Sequence, residues 1–314
     1  MEDPELIQKL DTFSQKALNK YLMEHKVSED IIRRYTDIVD WWHISWYQKL
    51  SEGLIKEYAD KVNWYWISTQ QNLSEDFIRE FADRVDWGGI SYSQTLTKDF
   101  IREFSNRVDW NNISRCQPLS EGFIREFADR VNWYYISYYQ KLSEDFIREF
   151  SNRVDWLNIS YCQNLSESFI RQFADRVDWM GISMSQALSE SFIREFADRV
   201  DWKGISYSQI LSEPFIREFA NMVHWSNISE YQRLSKPFIR EEADRVDWKA
   251  LKENPHLSHI EIDSLHADYL ASKADFAALG RKVGAEAVKE QAAQPQKVEK
   301  TEVQSNTQSQ SRKR

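Results

Sequence analysis

Apolar side chains return along most of this chain in a fixed order every 23 residues. Trp stands at 41, 64, 87, 110, 133, 156, 179, 202, 225 and 248, with no insertion between copies. Three positions on is an Ile in nine copies, Ile44 to Ile228, and Leu251 in the tenth. Gln48, Gln71, Gln94, Gln117, Gln140, Gln163, Gln186, Gln209 and Gln232 keep the same register. Nine full copies run from Val27 to Arg233, and a degenerate tenth from Leu234 to about His256. A period this strict marks a repeat architecture.

Each copy carries two helix-start signals. In one copy Ser74 is a good N-cap and Glu75 places a negative charge in the first turn, where the helix dipole favours it. Leu73 and Ile78 fit a hydrophobic staple around that cap. Phe77, Ile78, Phe81, Ala82 and Val85 then follow one buried helical stripe. Asp86 offers a second cap, and Trp87, Ile90 and Ser91 form a short apolar face behind it. The pattern predicts a long helix A, over about 75–85, and a helix B of about two turns in every copy.

Neither helix can bury its face alone, so the copies must stack, and the fold class expected is an all-α solenoid of about ten two-helix repeats. The leucine-rich repeat has a similar period, but its strand pattern is absent, and a cap pair every 23 residues excludes a continuous coiled coil. Residues 1–26 read as an N-terminal cap with one amphipathic helix over 4–24. The array proper spans 27–256. In its last copy the usual Phe becomes Glu242, Ile becomes Leu251 and Gln becomes Pro255, as suits a terminal repeat. Residues 257–292 are Ala-rich and read as a C-terminal helical cap. Residues 293–314 read as a disordered tail of Gln, Ser, Thr, Lys and Glu.

Over 27–256 the unit Leu-Ser-Glu-x-Phe-Ile-Arg-Glu-Phe-Ala-Asp-Arg-Val-Asp-Trp-x-x-Ile-Ser-x-x-Gln resembles the very regular short α-helical repeat arrays found in uncharacterised proteins of large DNA viruses and some bacteria. The resemblance implies an interaction scaffold. It brings no catalytic residue.

The constant positions read as structure. The Trp ladder, Trp41, Trp64, Trp87, Trp110, Trp133, Trp156, Trp179, Trp202, Trp225 and Trp248, should fill the seams between layers. Each Gln amide should satisfy backbone groups where helix B ends, bridging neighbouring repeats; binding of an extended peptide backbone is the rival reading. The Ser after each Ile should be small for close helix approach, and no His or Lys recurs beside it to make it a nucleophile. On helix A, Glu75–Arg79, Arg79–Asp83 and Glu80–Arg84 are i, i+4 pairs, each contributing about 0.2–0.5 kcal/mol. They predict a solvated, salt-bridged face.

Variation between copies concentrates in helix B, at the two residues after Trp and the two before Gln. Large, rigid, amphipathic rings at such positions suit protein recognition. The candidate partner-binding residues are Trp42, Trp46, Tyr47, Tyr65, Trp66, Tyr92, Tyr134, Tyr135, Tyr138, Tyr139, Tyr161, Tyr207 and Tyr231. Two of the varying positions lie four apart and change size together: Gly89/Ser93, Gly181/Ser185 and Gly204/Ser208, Asn112/Cys116 and Asn158/Cys162, against large pairs at His43/Tyr47, Trp66/Gln70 and Tyr135/Tyr139. Contact within the pair would leave grooves at the Gly copies; duplication of a parent copy is the alternative.

Composition narrows the partners. The formal charge is −9, and residues 1–272 carry −13. Only Arg115 and Lys203 are cationic among the thirty-six variable helix-B residues. Duplex nucleic acid, a base-reading code and anionic membrane are therefore disfavoured. No stretch approaches 18 apolar residues. The acidic N-terminus reads as no secretory signal, and two cysteines are no disulfide framework, so a reducing, intracellular compartment is expected, cytoplasmic by default. Cys116 and Cys162 lie two repeats apart, too far for a disulfide. His256, His259, Asp263 and His266 form the one ligand-like cluster, with nothing to bury it. Phosphate loops and nucleophile elbows are absent. The reading is a non-catalytic scaffold with no cofactor or metal that binds a protein or extended peptide along helix B. The alternatives are an acidic decoy occupying a basic site on another protein and, less favoured, a nucleic-acid reader or an enzyme.

Overall fold

The 23-residue unit folds as two short helices separated by a tight turn. In the copy at 74–94, the Ser74 hydroxyl accepts the Phe77 N–H at 3.2 Å and opens helix A, Glu75–Glu80. Phe81 leaves helical geometry at φ −108° and ψ 25°. The chain turns through Val85, held by Arg84 N–H to Phe81 O at 2.8 Å and Val85 N–H to the same oxygen at 3.1 Å. Asp86 then caps helix B, Trp87–Ser93, accepting the Gly89 N–H at 2.7 Å.

The long helix A expected from the apolar stripe is corrected: helix A has 6 residues and helix B has 7. A continuing α-helix would pair the Ala82 carbonyl with the Asp86 N–H. Instead that carbonyl accepts the Trp87 indole N–H at 2.9 Å, and the Asp86 N–H goes to Ser68 Oγ of the preceding repeat at 2.9 Å. Phe81 and Val85 are still directed inward, but from a turn.

This computed structural model describes residues 4–293. Among them are 23 helices, α1–α23 in chain order, and no strand. The single N-terminal helix expected over 4–24 is two, α1 (Pro4–Asp11) and α2 (Gln15–Glu24). The Thr12 hydroxyl bonds back to Lys9 O at 2.6 Å, and Ser14 caps the second helix through the Ala17 N–H at 3.3 Å, so a local polar pair ends one helix and starts the next. α3–α22 are the alternating A and B helices, and α23 spans His259–Ala293. Apart from Ala293, the tail expected over 293–314 lies outside the described residues.

The chain divides into two compact units, residues 1–205 and 206–314. In the first, the B helices from Trp41–Tyr47 to Trp179–Ser185 stack in chain order, as in an α-solenoid, and α2 packs on the first of them. Ile67, Ile90, Ile113, Ile136, Ile159 and Ile182 are fully buried, as are Phe146, Ile147, Phe169 and Ile170 from the A helices. Burying each such side chain stabilises by roughly 1.5–3 kcal/mol, so every repeat relies on its neighbour.

In the second unit Phe215, Ile216, Ile228, Phe238, Ile239 and Leu251 repeat that core. α23 closes it by packing on α21 (Lys236–Glu241) and α22 (Trp248–Glu253). Earlier repeats lay Trp against the next repeat's Phe, as Trp133 does on Phe150 at 4.9 Å. Here Trp248 stacks on His266 at 4.5 Å and on Tyr269 at 5.5 Å. Glu242 stands where other copies have a core Phe, and it lies beside Arg245 at 3.3 Å.

Candidate functional site

Three polar ladders fix where helix B can present side chains. In the first unit each buried Gln reaches back one repeat. Gln94 Nε2 donates to Gln71 O at 2.8 Å and Ser68 O at 3.0 Å, two carbonyls left over at the end of the preceding helix B, and its Oε1 accepts the Leu73 N–H at 3.0 Å. Gln48, Gln71, Gln117, Gln140, Gln163 and Gln186 repeat this reach. Both amide N–H groups are used and the side chain is buried, which leaves it poorly placed to bind a peptide backbone. In the second unit Gln232 does the same toward Gln209 and Ser206. In the last repeat the role passes to Asn254, a shorter amide one position earlier, which donates to Ser229 O at 2.7 Å and Gln232 O at 2.9 Å.

The Ser ladder does more than allow close approach. Ser160 Oγ donates to Trp156 O at 2.7 Å and accepts the Asp178 N–H of the next repeat at 2.9 Å. Sequence reasoning missed this because an 18-residue donor has no helical periodicity. The Trp indoles each donate to the carbonyl five residues earlier, from Trp41 to Thr36 O at 3.1 Å through Trp248 to Ala243 O at 3.2 Å.

The charged face also differs from its expected form. Glu75–Arg79 is an i, i+4 contact at 3.7 Å, but Arg79 lies closer to Asp76 at 2.8 Å and to Glu103 of the next repeat at 2.9 Å. Arg84 pairs with Asp60 of the preceding repeat at 2.7 Å, and Arg107 with Asp83 at 2.5 Å. The expected Arg79–Asp83 and Glu80–Arg84 pairs are replaced because helix A ends at Glu80, before Asp83 and Arg84 can join its face. Arg79, Arg102, Arg125, Arg148, Arg171 and Arg217 also cover seam rings, as Arg125 lies 5.0 Å from the Phe146 centroid.

Within helix B the variable positions separate by direction. Trp42, Tyr65, Tyr92, Tyr134, Tyr138, Tyr139, Tyr207 and Tyr231 are exposed, and Trp46, Tyr47, Trp66, Tyr135 and Tyr161 are half-buried. In the first two repeats Trp46 and Trp66 stack at 4.2 Å and 9°, and Trp42 meets Trp66 edge-on at 5.6 Å. In the fifth, Tyr138 and Tyr139 lie 4.5 Å apart and Arg115 sits 5.9 Å from the Tyr139 ring. In the second unit Tyr207 and Tyr231 meet at 4.6 Å, and a hydrogen bond to the Glu230 carboxylate, with partial burial, pushes the Tyr231 hydroxyl up to about 12. Aromatic selection alone missed Leu157, Met180 and Met184, which are 52%, 53% and 42% exposed in the registers of Tyr134 and Tyr138.

The second residue after each Trp turns to the preceding repeat. Trp66 lies on Trp46; Asn112 Nδ2 donates to Gly88 O at 3.1 Å and Asn158 Nδ2 to Tyr134 O at 3.5 Å. A Cβ on Gly89 would lie 2.7 Å from Thr69, on Gly181 2.7 Å from Tyr161, and on Gly204 2.8 Å from Met184. The grooves expected at the Gly copies are thus filled by the neighbour's side chain, through a contact across the seam at a 20-residue spacing. Contact at the four-residue spacing occurs for the ring pairs His43/Tyr47 at 6.2 Å and Tyr135/Tyr139 at 6.1 Å.

Other candidate chemistry is dispersed. His266 lies on Trp248 and Asp263 pairs with Lys252 at 2.6 Å, and no group of three His, Cys, Asp or Glu among the described residues is placed to hold a metal. Both cysteines are free; partial burial pushes the Cys162 thiol up. No helix among the described residues is long and apolar enough to cross a membrane. Comparison with family models, curated proteins and solved structures finds no match.

Proposed function

We propose that this chain is a non-catalytic repeat scaffold whose variable helix-B surface binds a protein or an extended peptide. One contrast carries the reading. Within helix B the constant Ile, Ser and Gln are buried and the Ser and Gln are used up in the ladders, whereas the variable positions one and five residues after Trp keep large apolar side chains at the surface, Tyr65, Tyr92 and Tyr134 at 52%, 54% and 51%. Large apolar side chains displayed on one strip in this way suit an interaction surface. The resemblance to viral and bacterial short-repeat arrays favours the same role. The acidic-decoy reading gains no support, because a decoy needs uncompensated anions and the helix-A carboxylates are answered by Arg across successive repeats.

The test is a nuclease-treated pull-down with the full chain at two salt concentrations, beside a variant in which Trp42, Trp46, Tyr134, Tyr135, Tyr138 and Tyr139 become small polar residues. A protein retained at high salt and lost with those aromatics supports the reading. A partner held equally by both proteins, or one released by salt alone, counts against it.

A further inference from the structure

Two pockets of one kind open at the C-terminal edge of the B helices, in the first unit. One, of about 340 Å³, is bounded by Lys26 and Lys49, with Trp46 as a wall and Gln70 and Asn72 beside it. The other, of about 430 Å³, is bounded by Arg115 and Lys141, with Tyr139 as the wall. Lys49 and Lys141 occupy the same place in the repeat, just after Gln48 and Gln140, four copies apart. No carboxylate lines either pocket.

Lys26 donates to Tyr47 O and Arg115 lies over the Tyr139 ring, but Lys49 and Lys141 have no structural duty that the repeat requires. The carbonyls ending each helix B are already satisfied by the next Gln, as Gln71 does for Ser45 and Gln48, and Gln163 for Ser137 and Gln140. The same loop position holds Asn72, Thr95, Pro118, Asn164 and Ala187 in other copies of this unit. Neither Lys49 nor Lys141 has an ion pair among the described residues, while the helix-A cations Arg79, Arg102 and Arg125 are all paired. In a chain of charge −9, two cations beside an aromatic wall with no carboxylate in the lining make a local site for an anionic group.

We infer that the two pockets are paired seats for carboxylate side chains of a single extended, acidic partner segment that crosses the helix-B surface. This names the chemistry of the partner in the reading above and rests on it. The pockets are three repeats apart, from the Gln48–Gln71 level to the Gln117–Gln140 level. Their lysines, Lys49 and Lys141, are four repeats apart, so at about 8–10 Å per packed helix the separation is roughly 32–40 Å, which an extended segment spans in about eleven residues. The aromatics between would supply affinity that salt leaves alone, and the seats a part that salt weakens.

The probe is a fluorescein-labelled synthetic peptide with a Glu-Glu pair at each end of about eleven neutral residues, titrated by anisotropy into the full chain. Replacing either pair by Gln-Gln should weaken binding roughly tenfold or more, since linked sites reinforce one another. Lys49→Gln and Lys141→Gln should each do the same with unchanged circular dichroism, and the double variant should flatten the salt dependence. Equal affinity for the Gln peptide, no response to the lysine changes, or no binding at low salt would overturn the seats. Complete displacement by low millimolar inorganic phosphate would overturn the carboxylate assignment in favour of phosphate. A cellular partner lost with the aromatics but indifferent to both lysines would overturn the seats and leave the helix-B reading standing. Acidic peptide lost with the lysines but held by the aromatic variant would do the reverse.

Discussion

The ring of Tyr161 fills the space into which a β-carbon on Gly181 would project, 2.7 Å away, with Ser160 Cβ 3.0 Å from the same point. Gly at this helix position is therefore a packing residue. Ala is normally better than Gly inside a helix by about 1 kcal/mol. Here Gly181→Ala should destabilise by about 1–3 kcal/mol through overpacking. Combining it with Tyr161→Ala should recover much of that loss, while Gly122→Ala, with open space around it, should be neutral or stabilising. Urea unfolding of the three proteins and the double variant decides it; additive effects at 161 and 181 would remove the seam contact from the account.

The Gln ladder predicts an unusual response to a small chemical change. Gln140 Nε2 donates to two carbonyls and its Oε1 accepts an N–H. Gln140→Glu keeps the shape and sets an anion against two oxygens in a buried site. The folded-state pKa of that carboxyl must lie above its unfolded value. Stability should therefore be present below the ordinary Glu range and lost as pH rises through the raised value. Thermal melts of Gln140→Glu minus wild type, across pH 4 to 8, should show a growing deficit; a deficit independent of pH would contradict the hydrogen-bond assignment.

Arg125 lies 2.7 Å from Glu149 of the next repeat and 3.9 Å from Glu121 in its own helix. A double-mutant cycle should return a coupling of about 0.2–1 kcal/mol for Arg125 with Glu149, and less for Arg125 with Glu121. In 1 M salt the first value should fall toward zero. Dominance of the Glu121 coupling would restore the pairing expected within one helix.

Tyr231 offers a pH-dependent marker in the second unit. Its hydroxyl is held up to about 12 by its hydrogen bond to Glu230. The folded pKa exceeds the ordinary 10.0, so the contribution is complete below pH 10 and is lost as pH rises toward 12. Absorbance titration at 295 nm should show a late-ionising component, beside those of Tyr35 and Tyr161, that is lost in Tyr231→Phe and titrates earlier in Glu230→Gln. No change in the Glu230→Gln titration would dismiss that bond.

Much of the fold was legible because one physical requirement repeats. Ser74 and Asp86 are caps in both sequence and structure, and Phe77, Ile78 and Ile90 are core in both. What escaped were interactions whose partners sit one repeat away. The Trp87 indole shortens helix A by taking the Ala82 carbonyl, and a periodicity analysis has no view of that bond. Gly181 and Ser185 looked like a pair because they share a helix face, yet the contact that matters is with Tyr161, twenty positions earlier. Asn254 was hidden because it performs the Gln role one residue out of register. On the candidate surface, ring-bearing residues were visible and Met180 and Met184 were not, since only aromatics were sought.

The backward reach of the Gln amide makes the two ends of an array unequal. Gln94 completes the repeat before its own, so a repeat is finished only when its successor exists. Deleting copies from the front strands a surplus amide that water can solvate. Deleting them from the back leaves two carbonyls without their partner in the last copy, a pair that Asn254 takes up at the end of the series. During synthesis, each copy on the ribosome would therefore wait for the next 23 residues to emerge before it locked, and the growing chain would carry its one incomplete layer always at the trailing edge.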